Sequence, residues 1–369
     1  MPEFRQDPVT GRWVIIAPAR NARPRYIEIP SDQKRSEPCP FCAGNESMTP
    51  PEVWAARYAN TKPNSPGWRV RVVPNKYPAL QNSGERFAKK DGLYQAMSGV
   101  GIHEVIIESP EHVVNMSALG EEQIVDILCA YRARLRILKN DRRWGYLLIY
   151  KNHGERAGAT FEHVHSQLVA MSFVPREAQD EIDGIHRHFE CTRRCIYCDI
   201  IQSESEHGER LVFKSDRFLA LCPFAPRFGY ETWILPKNHA TDFEQTSDRD
   251  ITALAKTLRE FTAKLNLAID NAPFNLVIHS APNEQSMNQR YHWHMEILPQ
   301  ITRAAGFEWG TGVHSEFGRA RTRRAPIPRR GALKLRQGDF RALVFAGRAE
   351  RWRPERSRFR RPRLRSACR

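Results

Sequence analysis

A membrane span needs about 20 consecutive apolar residues, and no run in this 369-residue chain approaches that length. Residues 1–20 lack the charged-then-apolar order of a secretory leader. A soluble, cytoplasmic protein without a membrane partner is expected. Cysteine is scarce: eight in a chain of this length do not make a disulfide scaffold. Two Cys-x-x-Cys pairs stand out among them, a spacing that in the cytosol points to metal or redox chemistry. Acidic residues are nearly missing from one region. Residues 317–369 hold 18 Arg and 1 Lys against 3 acids, a net of 19 − 3 = +16, which leaves 15 − 16 = −1 for the rest. The near-neutral body argues against a nucleic-acid binder, except through the basic stretch. That stretch has scattered prolines and few apolar runs, and reads as a disordered tail. It is either an arm for RNA or an anionic surface, or the product of a shifted reading frame. Its abrupt change of composition favours the frame shift, which arginine-rich peptides at the native C-terminus would rule out.

The informative stretch is residues 152–167, Asn-His-Gly-Glu-Arg-Ala-Gly-Ala-Thr-Phe-Glu-His-Val-His-Ser-Gln. It follows an apolar run at 147–150 that reads as a buried strand. On a strand His163, His165 and Gln167 share one face, and Val164 and Ser166 the other. Three polar side chains beside a glycine-bearing loop suit a phosphate. Neutral imidazole is nucleophilic near pH 7, and an amide can hydrogen-bond a phosphoryl oxygen. The competing reading is a pair of satisfied strand histidines, and the remainder of the chain supplies the context.

Residues 7–11 read as a turn and 12–17 as the strand leaving it. The next loop carries Arg20 and Arg23, either solvated charge or partners for phosphate oxygens. Cys39 and Cys42 can bring two thiolates to one tetrahedral metal. Strands are expected at 69–73 and 104–108, the second running into His112. A helix then starts near Ser117 as cap, with Glu121 and Glu122 in its first turn and Ile124, Ile127, Leu128, Tyr131 and Leu135 on its apolar face.

The order then repeats. Cys195 and Cys198 form the second Cys-x-x-Cys. Strands at 218–222 and 232–235 follow, the latter running into His239. A helix capped near Ser247 buries Ile251, Leu254, Leu258, Phe261 and Leu265. A strand at 274–278 leads to His292-Trp-His294-Met-Glu296. The interval from the strand-end histidine to the His-x-His pair is 163 − 112 = 51 in one half and 292 − 239 = 53 in the other. Matching intervals between matching signals indicate an internal duplication. They group Cys39, Cys42, His112 and His163, and likewise Cys195, Cys198, His239 and His292, as two closed structural zinc sites. His103 competes with His112 but has no counterpart in the second half. The halves differ where chemistry matters: Glu296 replaces Gln167, and counting back 11 residues puts Ala281 where the first half has Asn152. Catalysis is therefore assigned to the first half.

These ordered motifs resemble the galactose-1-phosphate uridylyltransferase family of the histidine-triad superfamily, over residues 1 to about 313. The resemblance implies an α+β fold of two histidine-triad-like halves. Each would be an antiparallel sheet with packed helices, the two forming a continuous or half-barrel sheet. The catalytic half would be 1–172 and the second 173–316, with the tail at 317–369. It implies galactose metabolism by ping-pong transfer. His165 would attack UDP-glucose, expel glucose 1-phosphate and pass its uridylyl group to a hexose 1-phosphate. Gln167 would bind the transferring phosphoryl oxygens, and Asn152, Gly158 and Thr160 would form the phosphate loop. Arg20 and Arg23 would contact substrate phosphates across a homodimer interface, and Phe41, Val73 and Asn75 would hold the nucleoside. His163 would be the zinc ligand that fixes the strand beside the nucleophile. Two features depart from the well-studied bacterial members. Residues 306–312 carry neither the lysine nor the glutamate that contacts the hexose, and the second metal set is Cys2His2 rather than a His-and-carboxylate iron site. Both, with Ser166, resemble the branch that includes the plant ADP-glucose phosphorylase, which passes AMP to phosphate. A histidine-triad hydrolase and a zinc-stapled nucleic-acid-binding protein are the remaining alternatives.

Overall fold

The computed structural model describes residues 1–6, 13–18, 38–85, 87–271, 273–283, 287, 289–302 and 304–314. The turn at 7–11, Arg20, Arg23 and the basic tail lie outside the described residues. In chain order the elements are β1 (Glu3–Gln6), β2 (Trp13–Ile16), β3 (Trp54–Arg57), β4 (Trp68–Pro74), β5 (Ala88–Asp91), β6 (Tyr94–Ser98), β7 (Gly101–Ile107) and α1 (Glu121–Lys139). Next come β8 (Tyr146–His153), β9 (His165–Met171), α2 (Arg176–Thr192), α3 (Ile196–His207), β10 (Leu211–Lys214), β11 (Phe218–Leu221) and β12 (Thr232–Pro236). The last are α4 (Asp248–Ile269), β13 (Phe274–His279), β14 (His294–Pro299) and α5 (Gly306–Thr311).

Apolar periodicity places the two long helices as expected. Ile124, Ile127, Leu128, Tyr131 and Leu135 of α1 are buried, as are Ile251, Leu254, Leu258, Phe261 and Leu265 of α4. Each such side chain contributes about 1.5–3 kcal/mol through burial. Ser247 caps α4 and accepts from the Asp250 amide, as its position suggests. Ser117 does not cap α1. It sits in a short 3₁₀ turn capped by Asn115, and the helix begins after Gly120.

Among the described residues the fold is α+β with two antiparallel sheets. A small sheet runs β2-β1-β6-β5, and the large one runs β10-β11-β12-β14-β13-β8-β9-β7-β4-β3. Outward from the β13–β8 seam the large sheet reads β8-β9-β7-β4-β3 one way and β13-β14-β12-β11-β10 the other. The duplicated motifs therefore become two like halves of one continuous sheet. At the seam the strands are antiparallel, with Asn275 opposite Asn152 and Val277 opposite Tyr150. Helices α1 and α4 pack on one face over a core that includes Ile106, Val164, Leu168, Phe218, Ile234 and Trp293. On the opposite face the second half is covered by Ile182 and Ile185 of α2 and Tyr197 and Ile201 of α3. The first half presents a smaller cluster there, Phe41, Trp68, Val73, Val105 and Ile107. Among the described residues no helix is long and apolar enough to cross a membrane.

Candidate active site and metal clusters

The loop after β8 must turn sharply to bring the His-x-His pair back onto the sheet. Gly154 and Gly158 both take positive φ, +80° and +88°, which L side chains rarely adopt. A Cβ at Gly154 would also lie 2.9 Å from Pro273. The chain re-enters the sheet at His165, so His163 stands just ahead of β9 rather than in it. His165 is paired with Ile107. Its Nδ1 lies 2.8 Å from the His163 carbonyl oxygen. A carbonyl only accepts, so Nδ1 carries the proton and Nε2 carries the lone pair of the neutral ring. The Phe41 ring lies 5.2 Å from the imidazole and 4.9 Å from Phe161. Val73, on β4 beyond β7, is buried in the same cluster as Phe41.

Gln167 and Asn75 meet on this face. Oε1 of Gln167 accepts from His103 Nε2 at 2.9 Å, Tyr150 Oη at 3.1 Å and Asn75 Nδ2 at 3.4 Å. Asn152 is held from across the seam: its Oδ1 accepts from Asn275 at 2.8 Å, and its Nδ2 lies 3.5 Å from the Gly158 carbonyl. Thr160 follows in the same half-buried loop.

Behind the strand, on the α1 face, is a buried charged group that the sequence reading missed. Lys151 Nζ donates to Glu108 at 2.6 Å and to the His165 carbonyl at 3.0 Å. Tyr131 Oη donates to the same carboxylate at 2.6 Å, and Ser166 Oγ also reaches it. Burial alone would raise the pKa of Glu108, but the Lys151 ammonium and these donors hold it below the usual carboxylate range.

Both expected ligand sets converge. Donor atoms of Cys39, Cys42, His112 and His163 lie within 4.8 Å of one another, as do those of Cys195, Cys198, His239 and His292. Sulfur–nitrogen separations are 3.5–3.6 Å in the first set, and in the second 3.4 Å (Cys198–His239), 3.6 Å (Cys198–His292) and 3.9 Å (Cys195–His292). His163 Nε2 donates to the Ser109 carbonyl at 2.8 Å, and His292 Nε2 to the Pro236 carbonyl at 2.9 Å. Both rings are therefore fixed with Nδ1 turned toward the sulfurs. Burial pushes His163 down to about 4, which keeps it neutral as a ligand must be. Burial, with the neighbouring Cys39 thiol, pushes Cys42 up to about 11, a penalty that a bound cation reverses.

A third ligand-capable cluster, Glu181, His279 and His294, was not foreseen. The reason is register. Tyr150 pairs with Gln167 on β9 and Val277 with Glu296 on β14, so the counterpart of Tyr150 is Val277. Two residues on, the counterpart of Asn152 is His279, and not Ala281. The connection is two residues longer in the second half, 294 − 279 = 15 against 165 − 152 = 13. His279 stacks on His294 at 4.8 Å and lies 3.5 Å from both Glu181 and Glu296. Glu296 is in turn bound by Arg227 at 2.6 Å.

The galactose-1-phosphate uridyl transferase N-terminal domain matches residues 1–175, and the C-terminal domain of that family matches residues 181–308. An ADP-glucose phosphorylase from Arabidopsis thaliana is 34% identical over 320 residues, 85% of this chain and 88% of that one. A galactose-1-phosphate uridylyltransferase from Thermotoga maritima is 28% identical over 342 residues, 92% of this chain and 99% of that one. The crystal structure of an Arabidopsis thaliana ADP-glucose phosphorylase with bound ADP-glucose superposes with a TM-score of 0.65 at 33% identity, covering 85% of this chain and 94% of that one.

Proposed function

We propose, for a chain that belongs to the galactose-1-phosphate uridylyltransferase family, that it transfers a nucleotidyl group from a nucleotide sugar by way of His165. The observation that carries this is the His165–His163 hydrogen bond, which leaves the Nε2 lone pair as the nucleophile. Nε2 attacks the α-phosphorus of the donor, an N–P bond forms, and the P–O bond to the leaving hexose 1-phosphate breaks. The acceptor oxygen then attacks the same phosphorus and the N–P bond breaks, returning neutral histidine. Gln167 and Asn152 supply amide donors to the transferring phosphoryl group, with Gly158 and Thr160 shaping the loop around it. Phe41, Val73 and Asn75 receive the nucleoside. Arg20 and Arg23, outside the described residues, act on phosphates across a homodimer interface. We place the division between the catalytic half and the second half near residue 172.

Each Cys2His2 set holds one zinc ion in this reading. Tetrahedral bonds of about 2.3 Å to sulfur and about 2.1 Å to nitrogen put the donors roughly 3.6 Å apart, close to the separations found. Zinc there is structural. It ties Cys39 and Cys42 to His163, and so sets where β9 begins.

The family's name points to uridylyl transfer to a hexose 1-phosphate. A second reading, adenylyl transfer from ADP-glucose to phosphate, is favoured by the 34% identity to the phosphorylase and by residues 306–312, which hold no lysine and whose one acid, Glu308, does not stand in the place of the hexose-contacting glutamate. Intact-protein mass spectrometry after brief mixing with UDP-glucose or ADP-glucose, without acceptor and quenched in alkali, separates the two. A uridylyl or an adenylyl adduct at His165 names the donor. Nucleotide release with no adduct from either would refute the covalent mechanism.

A further inference from the structure

His103 has no part in either metal set, yet it sits buried beside the proposed phosphoryl ligand Gln167. Its protonation pattern follows from its neighbours. The Ala79 backbone N–H donates to His103 Nδ1 at 2.9 Å. A backbone amide only donates, so Nδ1 is the bare nitrogen and Nε2 carries the hydrogen. Nε2 therefore donates to Gln167 Oε1 at 2.9 Å. Asn75 is fixed in the same way. Its Oδ1 accepts from the Tyr77 amide at 2.9 Å, which leaves its Nδ2 as a donor 3.4 Å from the same Gln167 oxygen. The 3.2 Å approach of Asn75 Nδ2 to His103 Nε2 is then a contact between two donors that share one acceptor. Rotating the Gln167 amide by half a turn would set its NH2 against both of them. The oxygen is locked inward, and the two N–H bonds of the amide point away from His103.

We infer that His103 is a positioning residue for nucleotidyl transfer: its Nε2–H holds the Gln167 carbonyl oxygen and so presents the amide hydrogens to the phosphoryl oxygens of the nucleotide. A phosphoryl oxygen only accepts, so a carboxamide turned the other way would oppose it. This rests on the reading of Gln167 as a phosphoryl ligand.

The test is the single-turnover rate of adduct formation at His165, measured with UDP-glucose and with ADP-glucose. His103→Leu slows it about tenfold or more while leaving the half-saturating donor concentration little changed. In a Gln167→Ala background the same substitution slows it by less than about twofold, because the group it orients is gone. A plain packing defect would act equally in both backgrounds. The isosteric pair His103→Gln and His103→Glu carries the test if the Leu variant fails to fold. Gln keeps a donor facing Gln167 and retains most of the rate. Glu offers only an acceptor, turns the amide round and loses as much as the Leu variant. Equal rates for the Gln and Glu variants, or additive losses in the cycle, would overturn the inference while leaving the parent mechanism standing. An undiminished rate in Gln167→Ala alone would remove the parent reading and the inference with it.

Discussion

The two halves carry the same ligand set and the same His-x-His pair, and in both the second histidine turns Nδ1 to the carbonyl of the first, 2.8 Å at His165 and 3.1 Å at His294. They part in what surrounds that ring. His294 lies against Tyr197, whose Oη is 3.5 Å from Nε2, and under α2, which contributes Glu181. His165 has Phe41 and the Gln167 amide on its side of the sheet. Behind the strand, register matches Lys151 with Ile278 and Ser166 with Met295, so a buried ionic group in one half is plain apolar packing in the other. The ligand clusters and the orientation of the histidine are thus properties of the scaffold. In the proposed function, reactivity is decided by the neighbours that each half adds to it.

The largest test of that contrast exchanges the histidines. His165→Gly should lower adduct formation on the order of 10⁴-fold or more with bound metal unchanged, whereas His294→Asn should leave the adduct forming. Full turnover in His165→Gly would end the assignment. Next is the buried pair. Lys151→Ile, which copies the second half, strands a carboxylate and should cost about 3–5 kcal/mol in denaturant unfolding. Adding Glu108→Leu should restore most of that loss, and if it does not, the pair is more than a structural substitute for apolar contact. Because the Glu108 pKa is lowered in the folded protein, its stabilisation is present above about pH 4.3 and is lost as pH falls through the folded value. Acid titration of the Lys151→Ile, Glu108→Leu double variant should lack that loss. Cys39→Ser should release one metal equivalent, lower stability by about 2 kcal/mol or more and slow adduct formation. Cys198→Ser should release the other equivalent and leave the adduct rate nearly unchanged, measured by elemental analysis beside the adduct assay. The smallest effect concerns His279, whose pKa is raised by Glu296 and Glu181 although burial opposes this. Its contribution is full below about pH 6.5 and declines as pH rises through the folded value. A stability profile of His279→Asn against the unmodified protein, flat across that window, would show the pairing to be inert.

Much of this is legible in the sequence. The ligand sets could be read because a duplicated chain repeats its intervals, and the faces of α1 and α4 because a helix buries one side at a fixed period. The Asn152 counterpart was misplaced, since counting back from the histidines ignores a connection two residues longer. The cap of α1 was misplaced because a 3₁₀ turn intervenes. The Glu108–Lys151 group and the Asn75–His103–Gln167 cluster left no trace in the pattern. Their members lie 43, 28 and 64 residues apart, and a charged residue in a strand gives no sign of the partner that lets it be buried.

At the seam, Asn275 spends both of its amide hydrogens on the first half, one on Asn152 Oδ1 and one on the Ala157 carbonyl, each at 2.8 Å, while its own oxygen accepts from Gln300 at 2.9 Å. The loop proposed to bind phosphate in one half is therefore tethered by a residue of the other. With catalysis proposed for the first half, the second half is the jig in which that half is held. Neither half of this chain is a spare part, and cutting it at the midpoint would take the clamp away from the loop it holds.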